Sequence, residues 1–344
     1  MLPLMTLVVR SAIRGAIWCP FLLLLAAGAL ASCASSSQEF VAEGEAQGST
    51  FVVRAYGDSL RVSEADIARW LQEYNSAVSV WDPSSELSRL NRGEAVSPSA
   101  ILADLLLITG VLREATDSIV EPSLEPILQA WGFTAGGSPL LPSGEGAARD
   151  SVLVDSLMLR VKWTPIAPVL GPMTLARPIN VNAFAQGHSV DVLLDSLRAR
   201  GASAAFVEIG GEVRAYGQKP DDESFTVGIE KPLTSGDRSL QLTVKLDDRA
   251  LATSGNYRKF QVDSATGHKY GHSIDPRTGW PAPTDMLSAT LIGPTCAEAD
   301  AYATMAMVLG MQGIKQWLAG HPEWDAILIY SDPKGGVKIY NSLK

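Results

Sequence analysis

Apolar and polar residues alternate along this chain with two different periods, and the places where the period changes outline the elements. STFVVRAYG (49 to 57) is rich in β-branched and aromatic residues and predicts a strand. SEADIARWLQEYNSAVSVW then shifts to helical spacing, with Ile67, Leu71 and Tyr74 on one stripe. Ser63 followed three residues later by Asp66 supplies the start signal of that helix. SPSAILADLLLITGVLREATD predicts a second amphipathic helix, and AFAQGHSVDVLLDSLRARG a third that stops at Gly201. Beyond it, AAFVEIGG is a strand running into a glycine turn, followed by EVRAYG and SFTVGIEKP. QLTVKLDDRALATSG, MLSATLIGPT and DAILIYSD add strands, with EADAYATMAMVLG helical between the last two. Residues 134 to 178 carry GGSPLLPSGEGAA, weak strands and PIAPVLGP, enough proline and glycine to predict an irregular insert. Helices and strands intermingle without regular βα alternation and no internal repeat is seen. The expectation is therefore an α+β fold, one domain with packed helices and mixed or antiparallel sheets.

The first 32 residues do not belong to that pattern. MLPLMTLVVRSAIRGAIWCPFLLLLAAGALAS holds Arg10 and Arg14, no acid, and then a leucine- and alanine-rich run, the signature of a signal peptide. It closes on Leu30-Ala31-Ser32-Cys33, which resembles the lipobox at which bacterial lipoproteins are cut and acylated on cysteine. An ordinary secretory signal or a membrane anchor is the other reading of the same run. Residues 33 to 45, small and polar, are expected to be a flexible tether from Cys33, leaving 46 to 344 as the folded domain. The chain is then an exported, membrane-anchored lipoprotein, on the periplasmic side in a cell with two membranes. Of its three cysteines only Cys296 would remain unmodified in that domain, so no intrachain disulfide is expected. Removing two arginines and no acid takes the net charge from −9 to −11. An acidic chain without a long basic run argues against nucleic acid as a partner. Any anion it binds must be neutralised locally, by a metal or by backbone amides.

Three places could carry chemistry. GHSIDPRTGWP (271 to 281) sets His272 beside a tight turn formed by Asp275, Pro276 and Gly279; taken alone it reads equally as a surface loop with a structural histidine. Asp300 and Thr304 are four residues apart on a helix, so a carboxylate and a hydroxyl share a face where both could reach Mg²⁺, or Asp300 could simply cap and Thr304 be buried. Glycine turns at VEIGGEVRAYG, TSGNY and NAFAQG permit close ligand approach, yet none fits GxGxxG or a P-loop.

Read in order, seven segments resemble the ApbE family of FAD:protein FMN transferases. They are SVWDPSSELSRLN, VEPSLEPILQAWGF, INVNAFAQGHSVD, VEIGGEVRAYGQKP, LATSGNYRKF, HSIDPRTGWP and ADAYATMAMVLG, and they span nearly all of residues 46 to 344. The resemblance implies a T-fold-like domain that takes FAD as substrate and needs Mg²⁺. The reaction it implies moves FMN onto a threonine or serine of an acceptor protein, an electron-transfer type subunit, and releases AMP. Matching positions imply Asp300 and Thr304 as metal side chains, with the carbonyls of Ala183 and Ala303, and His272 as the base. They imply FAD contacts at Gln47, Trp81, Glu121, Asn180, Gln186, Gly210, Gly211 and His272. The chain departs from the family at Asn180 and Gln186, where many members carry Asp and Lys; the two changes compensate formally in charge. Asn256 and Gln47 are milder departures, from Asp and Met. An FAD pyrophosphatase releasing FMN and AMP, or a flavin-binding lipoprotein without turnover, are the competing readings.

Overall fold

The computed structural model describes residues 37–134, 147–166, 171–230, 240–255, 260–262, 269–334 and 336–343. The predicted signal peptide, Cys33, Ala34 and Asn256 lie outside the described residues, as does part of the predicted insert. Residues 37–344 form one compact unit.

An eight-stranded sheet organises it. Its strands are β1 (Gln38–Ala46), β2 (Ser49–Gly57), β3 (Ala204–Ile209), β4 (Glu212–Tyr216), β7 (Ala250–Gly255), β12 (Met286–Gly293), β13 (Asp325–Ser331) and β14 (Val337–Asn341), in that spatial order. Every neighbouring pair in it is antiparallel. β5 (Phe225–Glu230) with β6 (Leu240–Leu246), β8 (Phe260–Val262) with β9 (Lys269–Gly271), and β10 (Ile274–Asp275) with β11 (Trp280–Pro281) form separate two-stranded ribbons. The fold is α+β, as expected, and of the mixed or antiparallel sheets anticipated the described residues form antiparallel ones.

Both faces of the sheet are covered. On one face, helices α1 (Glu64–Val78), α3 (Ala100–Ala115), α6 (Ala185–Ala199) and α7 (Cys296–Ala319) bury two adjoining apolar clusters. The β5–β6 ribbon packs on the other face, over Ala204, Val213, Leu251, Ile292 and Ile327. Successive residues of a strand point to opposite faces, so covering both turns alternation into continuous apolar runs such as AAFVEI and DAILIY. A fourth cluster, Leu124, Ile127, Trp131, Val154 and Ile274, stands apart and sits under the 272 to 281 loop.

Helix α1 begins as its sequence dictates: the Ser63 side chain accepts from the Asp66 amide and Asp66 answers the Ser63 amide, a complete capping box. Elsewhere the structure corrects the sequence reading. The tether stops short of residue 45, because Gln38–Ala46 pairs residue for residue with β2. Only Ala42 of that edge strand is buried, so its composition stays polar and hides the pairing. Within the predicted irregular insert, Ala147–Met158 is a helix, α5, whose Val154, Leu157 and Met158 follow helical spacing onto the fourth cluster. The described part of the insert shows no strand beyond a single bridge, Val96 to Met173. Two short helices, α2 (Glu86–Asn91) and α4 (Glu125–Ala130), and the edge strand β14 were also not expected. Helix α7 runs past Gly310, where the backbone turns to φ 68 and the Asp285 carboxylate takes the freed Met311 amide.

Candidate functional site

The first turn of α6 is the hub. Gly187 lies so close to α7 that a Cβ there would come within 2.3 Å of the Cys296 carbonyl oxygen. Only glycine permits that approach, and it lets the Gly187 amide donate to Asp300 Oδ2 at 3.1 Å. Asp300 is therefore not a helix cap: Thr295 caps α7, and Asp300 sits a turn further in, buried. Burial pushes its carboxyl up to about 7, the nearby Asp191 adds to the rise, and the Gly187 amide opposes it. Asp191 accepts the amides of Cys296 and Ala297 and pairs with Arg214 at 2.8 Å, so it anchors the start of α7. Burial raises the Asp191 carboxyl as well, against the pull of Arg214.

One turn beyond Asp300, the Thr304 hydroxyl lies 3.4 Å from that of Ser254, at the end of β7. These are hard oxygen donors, and Asp300 Oδ1 has no hydrogen-bond partner among the described residues. A divalent cation fits that donor set: it would take the unoccupied lone pairs and stabilise the carboxylate that burial disfavours. Ala183 stands two residues before α6. Ala303 lies inside α7, where its carbonyl already faces the amide one turn on, so a metal there would share it. Among the described residues no three His, Cys, Asp or Glu side chains gather as a metal centre. The oxygen set around Asp300 is of another kind.

Two turns of the sheet meet the same hub. Gln186, on α6, donates to the Ile209 carbonyl at 3.0 Å and lies across the β3–β4 turn. At Gly210 (φ 66) the left-handed backbone favours glycine, and a Cβ there would have to push aside the tip of the Gln186 side chain, 2.0 Å away. Gly211 next to it faces open space. In the β1–β2 turn, Gln47 adopts a left-handed conformation (φ 53) and its side-chain amide donates to Ser189 of α6. Beneath, the Tyr74 hydroxyl donates to the Ala185 carbonyl at 2.6 Å and stands 3.0 Å from His188 Nδ1, while His188 Nε2 faces Asp104.

Asn180 and Glu121 form a second group, joined to the first by the chain from 180 to 186. The Asn180 backbone amide donates to the Pro122 carbonyl at 2.7 Å, and Asn91, from the SELSRLN segment, holds both backbone groups of Ile179. Glu121 pairs with Arg113 at 2.6 Å and accepts from the amide and hydroxyl of Ser123. Beside it lies a cavity of about 250 Å³, whose wall includes Ser123, Lys162, Trp163, Arg177 and Ile179.

His272 occupies a third position. Asp275 binds Arg277 through both oxygens at 2.8 and 2.7 Å, and its carbonyl accepts the Gly279 amide. Although burial opposes it, the Arg277 contacts hold the Asp275 carboxyl below its usual range. Trp131 then donates to the Gly279 carbonyl at 2.9 Å and packs edge-on against Trp280. The turn is thus clamped from below, and His272, half-buried, faces Phe133 with ring centroids 6.3 Å apart. Trp81 is 63% exposed on the loop after α1, its amide bound to the Ser79 hydroxyl, so it is no core residue. Its indole makes no contact with the other groups that would link it to them within the described residues. The contacts therefore join Gln47, Ala183, Gln186, Gly210, Asp300 and Thr304 directly or through neighbours in the chain, bring Glu121 and Asn180 alongside, and leave Trp81 separate. Sequence reasoning passed over Ser254, Asp191 and Glu125, although each lies inside a quoted segment: TSGNY, INVNAFAQGHSVD and VEPSLEPILQAWGF.

The sequence profile of the ApbE family matches residues 47–328. This chain belongs to the ApbE family. An FAD:protein FMN transferase of Vibrio cholerae is 30% identical over 291 residues, covering 82% of this chain and 84% of that one. The FAD:protein FMN transferase of Haemophilus influenzae is 28% identical with the same coverage. Among solved structures, the flavin transferase ApbE from Vibrio cholerae superposes with a TM-score of 0.73 at 26% identity, over 89% of this chain and 97% of that one. A Pseudomonas stutzeri flavinyl transferase in its apo form, 24% identical, shares the fold with the same score over 89% and 95%.

Proposed function

We propose that this ApbE-family chain is an FAD:protein FMN transferase that moves FMN from FAD to a threonine or serine hydroxyl of an acceptor protein and releases AMP. The observation that carries the reading is the buried Asp300 carboxylate, one oxygen of it unengaged among the described residues, one turn before Thr304 and held against the α6 turn that bears Gln186. In this reaction the acceptor oxygen bonds to the FMN-side phosphorus, the pyrophosphate P–O bond breaks, and AMP leaves with the bridging oxygen. His272 takes the hydroxyl proton, work for which an imidazole suits near-neutral pH. Asp300 and Thr304, with the carbonyls of Ala183 and Ala303, would hold Mg²⁺. When bound, the ion supplies positive charge for the phosphate oxygens in a chain whose own balance is acidic. Gln47, Trp81, Glu121, Asn180, Gln186, Gly210 and Gly211 are the FAD-facing groups, Trp81 offering an exposed indole on which a flavin ring can stack.

The chain is further proposed to be exported and tethered to a membrane by lipid on Cys33, with Ala34 favouring the outer membrane where there is one. That reading rests on the first 34 residues alone; no helix among the described residues is long and apolar enough to cross a membrane.

The test is incubation of residues 34–344 with FAD, Mg²⁺ and a domain bearing a flavinylation threonine, following mass and AMP. A gain of one FMN that depends on Mg²⁺ is expected. AMP with free FMN and no gain in mass would make the protein a pyrophosphatase, and intact bound FAD without AMP would make it a flavin-binding protein.

A further inference from the structure

Glu125, at the start of α4, is a largely buried carboxylate that the reaction above does not use. No Lys or Arg pairs with it among the described residues. Asn180 Nδ2 donates to its Oε2 at 2.7 Å, and the Thr134 hydroxyl reaches its Oε1 at 3.2 Å. Burial raises this carboxyl, against the pull of those two hydrogen bonds.

The orientation of Asn180 is fixed from both ends. Its Oδ1 accepts the Asn182 amide at 2.9 Å, so its NH₂ must face the carboxylate; the reverse would set oxygen against oxygen. One amide hydrogen goes to Glu125. The other finds no acceptor among the described residues, although Asn180 is only 7% exposed. A buried donor without a partner is costly in the free protein and is satisfied when a ligand supplies the acceptor. The same residues tie two parts of the site together: residue 180 leads into the Ala183 to Gly187 segment, and Thr134 follows Phe133, which packs on His272.

We propose that Glu125 is a positioning residue of the FAD site: by gripping one hydrogen of the Asn180 amide it aims the other at an acceptor oxygen of FAD, a flavin carbonyl or a phosphoryl oxygen. This rests on the flavin-transferase reading. Asn180 is the group that touches the ligand; Glu125 acts through it. An acid at position 180 would lose the donor and oppose Glu125 with a second buried negative charge.

The experiment measures FAD affinity by quenching of flavin fluorescence, and thermal stability, for residues 34–344 and its variants. Wild-type protein is measured first; failure to bind FAD would sink the transferase reading itself rather than this assignment. Asn180→Asp is expected to lower both stability and affinity, the latter by about tenfold, as for one lost ligand hydrogen bond. Adding Glu125→Gln removes the charge clash and should restore stability while affinity stays low, because the donor to FAD is still missing. Glu125→Gln alone keeps an acceptor for Asn180 and should bind FAD within about twofold of wild type, whereas Glu125→Ala should lose about tenfold. Asn180→Ala supplies a charge-neutral check should the double variant not fold, with the same loss expected. Riboflavin, which has no phosphate, separates the acceptors: a loss shared by riboflavin assigns a ring carbonyl, and one confined to FAD a phosphoryl oxygen. Recovery of affinity in the double variant, or unchanged affinity in Asn180→Asp, Asn180→Ala or Glu125→Ala, would overturn the proposal.

Discussion

Replacing Asp300 by asparagine should strengthen the metal-free fold while abolishing the response to Mg²⁺. The oxygen of the new side-chain amide can still accept the Gly187 amide, so the variant removes a charge and little else. Burial lifts the Asp300 carboxyl from an ordinary 3.8 to about 7. The folded state therefore holds this proton more tightly than the unfolded chain, and stability falls as pH rises from about 4 to about 7. At about 1.4 kcal/mol per pH unit between the two values, the raised carboxyl of Asp300 costs about 4 kcal/mol of stability at pH 8 and less than half of that at pH 5, where it is still protonated in the fold. Asparagine does not titrate, so the advantage of Asp300→Asn over wild type should grow by about 3 kcal/mol between pH 5 and pH 8. Mg²⁺ narrows that gap by stabilising the wild type alone: at a hundred times its Kd a ligand adds about 2.7 kcal/mol to the state that binds it. The assay is urea denaturation followed by tryptophan fluorescence at both pH values, with and without Mg²⁺. A variant that tracks wild type at every pH would refute the burial argument, and equal stabilisation of both proteins by Mg²⁺ would refute the metal assignment.

His272→Ala should leave FAD binding intact and slow transfer by on the order of 10²- to 10⁴-fold, read as FMN gained per acceptor; normal turnover would remove His272 from the chemistry. Gly187→Ala would drive a methyl group into the Cys296 carbonyl and part α6 from α7, so thermal melting should fall by the equivalent of about 3 kcal/mol together with Mg²⁺ response. A stable, Mg²⁺-responsive protein would show that the close approach is not needed. Ser63→Ala should cost about 1 kcal/mol of stability through the lost cap of α1, with FAD affinity unchanged in the fluorescence titration.

Local chemistry made much of this protein legible in its sequence. The Ser63 and Asp66 capping box, the stripe of Ile67, Leu71 and Tyr74, and the stretch STFVVRAYG each act through neighbours a few residues away, and each stands where the pattern put it. The α+β class follows from the same short-range signals, and the order of seven motifs was enough for the family; that the sheets are antiparallel rather than mixed came only with the strand pairing. Tertiary structure decided the rest. Whether Gln38–Ala46 is tether or strand depends on a partner strand, since an edge strand buries too little to mark its own sequence. Helix α5 exists because Val154, Leu157 and Met158 find the cluster beneath the 272 to 281 loop. Above all, a carboxylate acquires its proton affinity from its surroundings: Asp300, Asp191 and Glu125 are ordinary acids in the sequence, and only burial, the α6 approach at Gly187 and the Asn180 amide give them distinct roles.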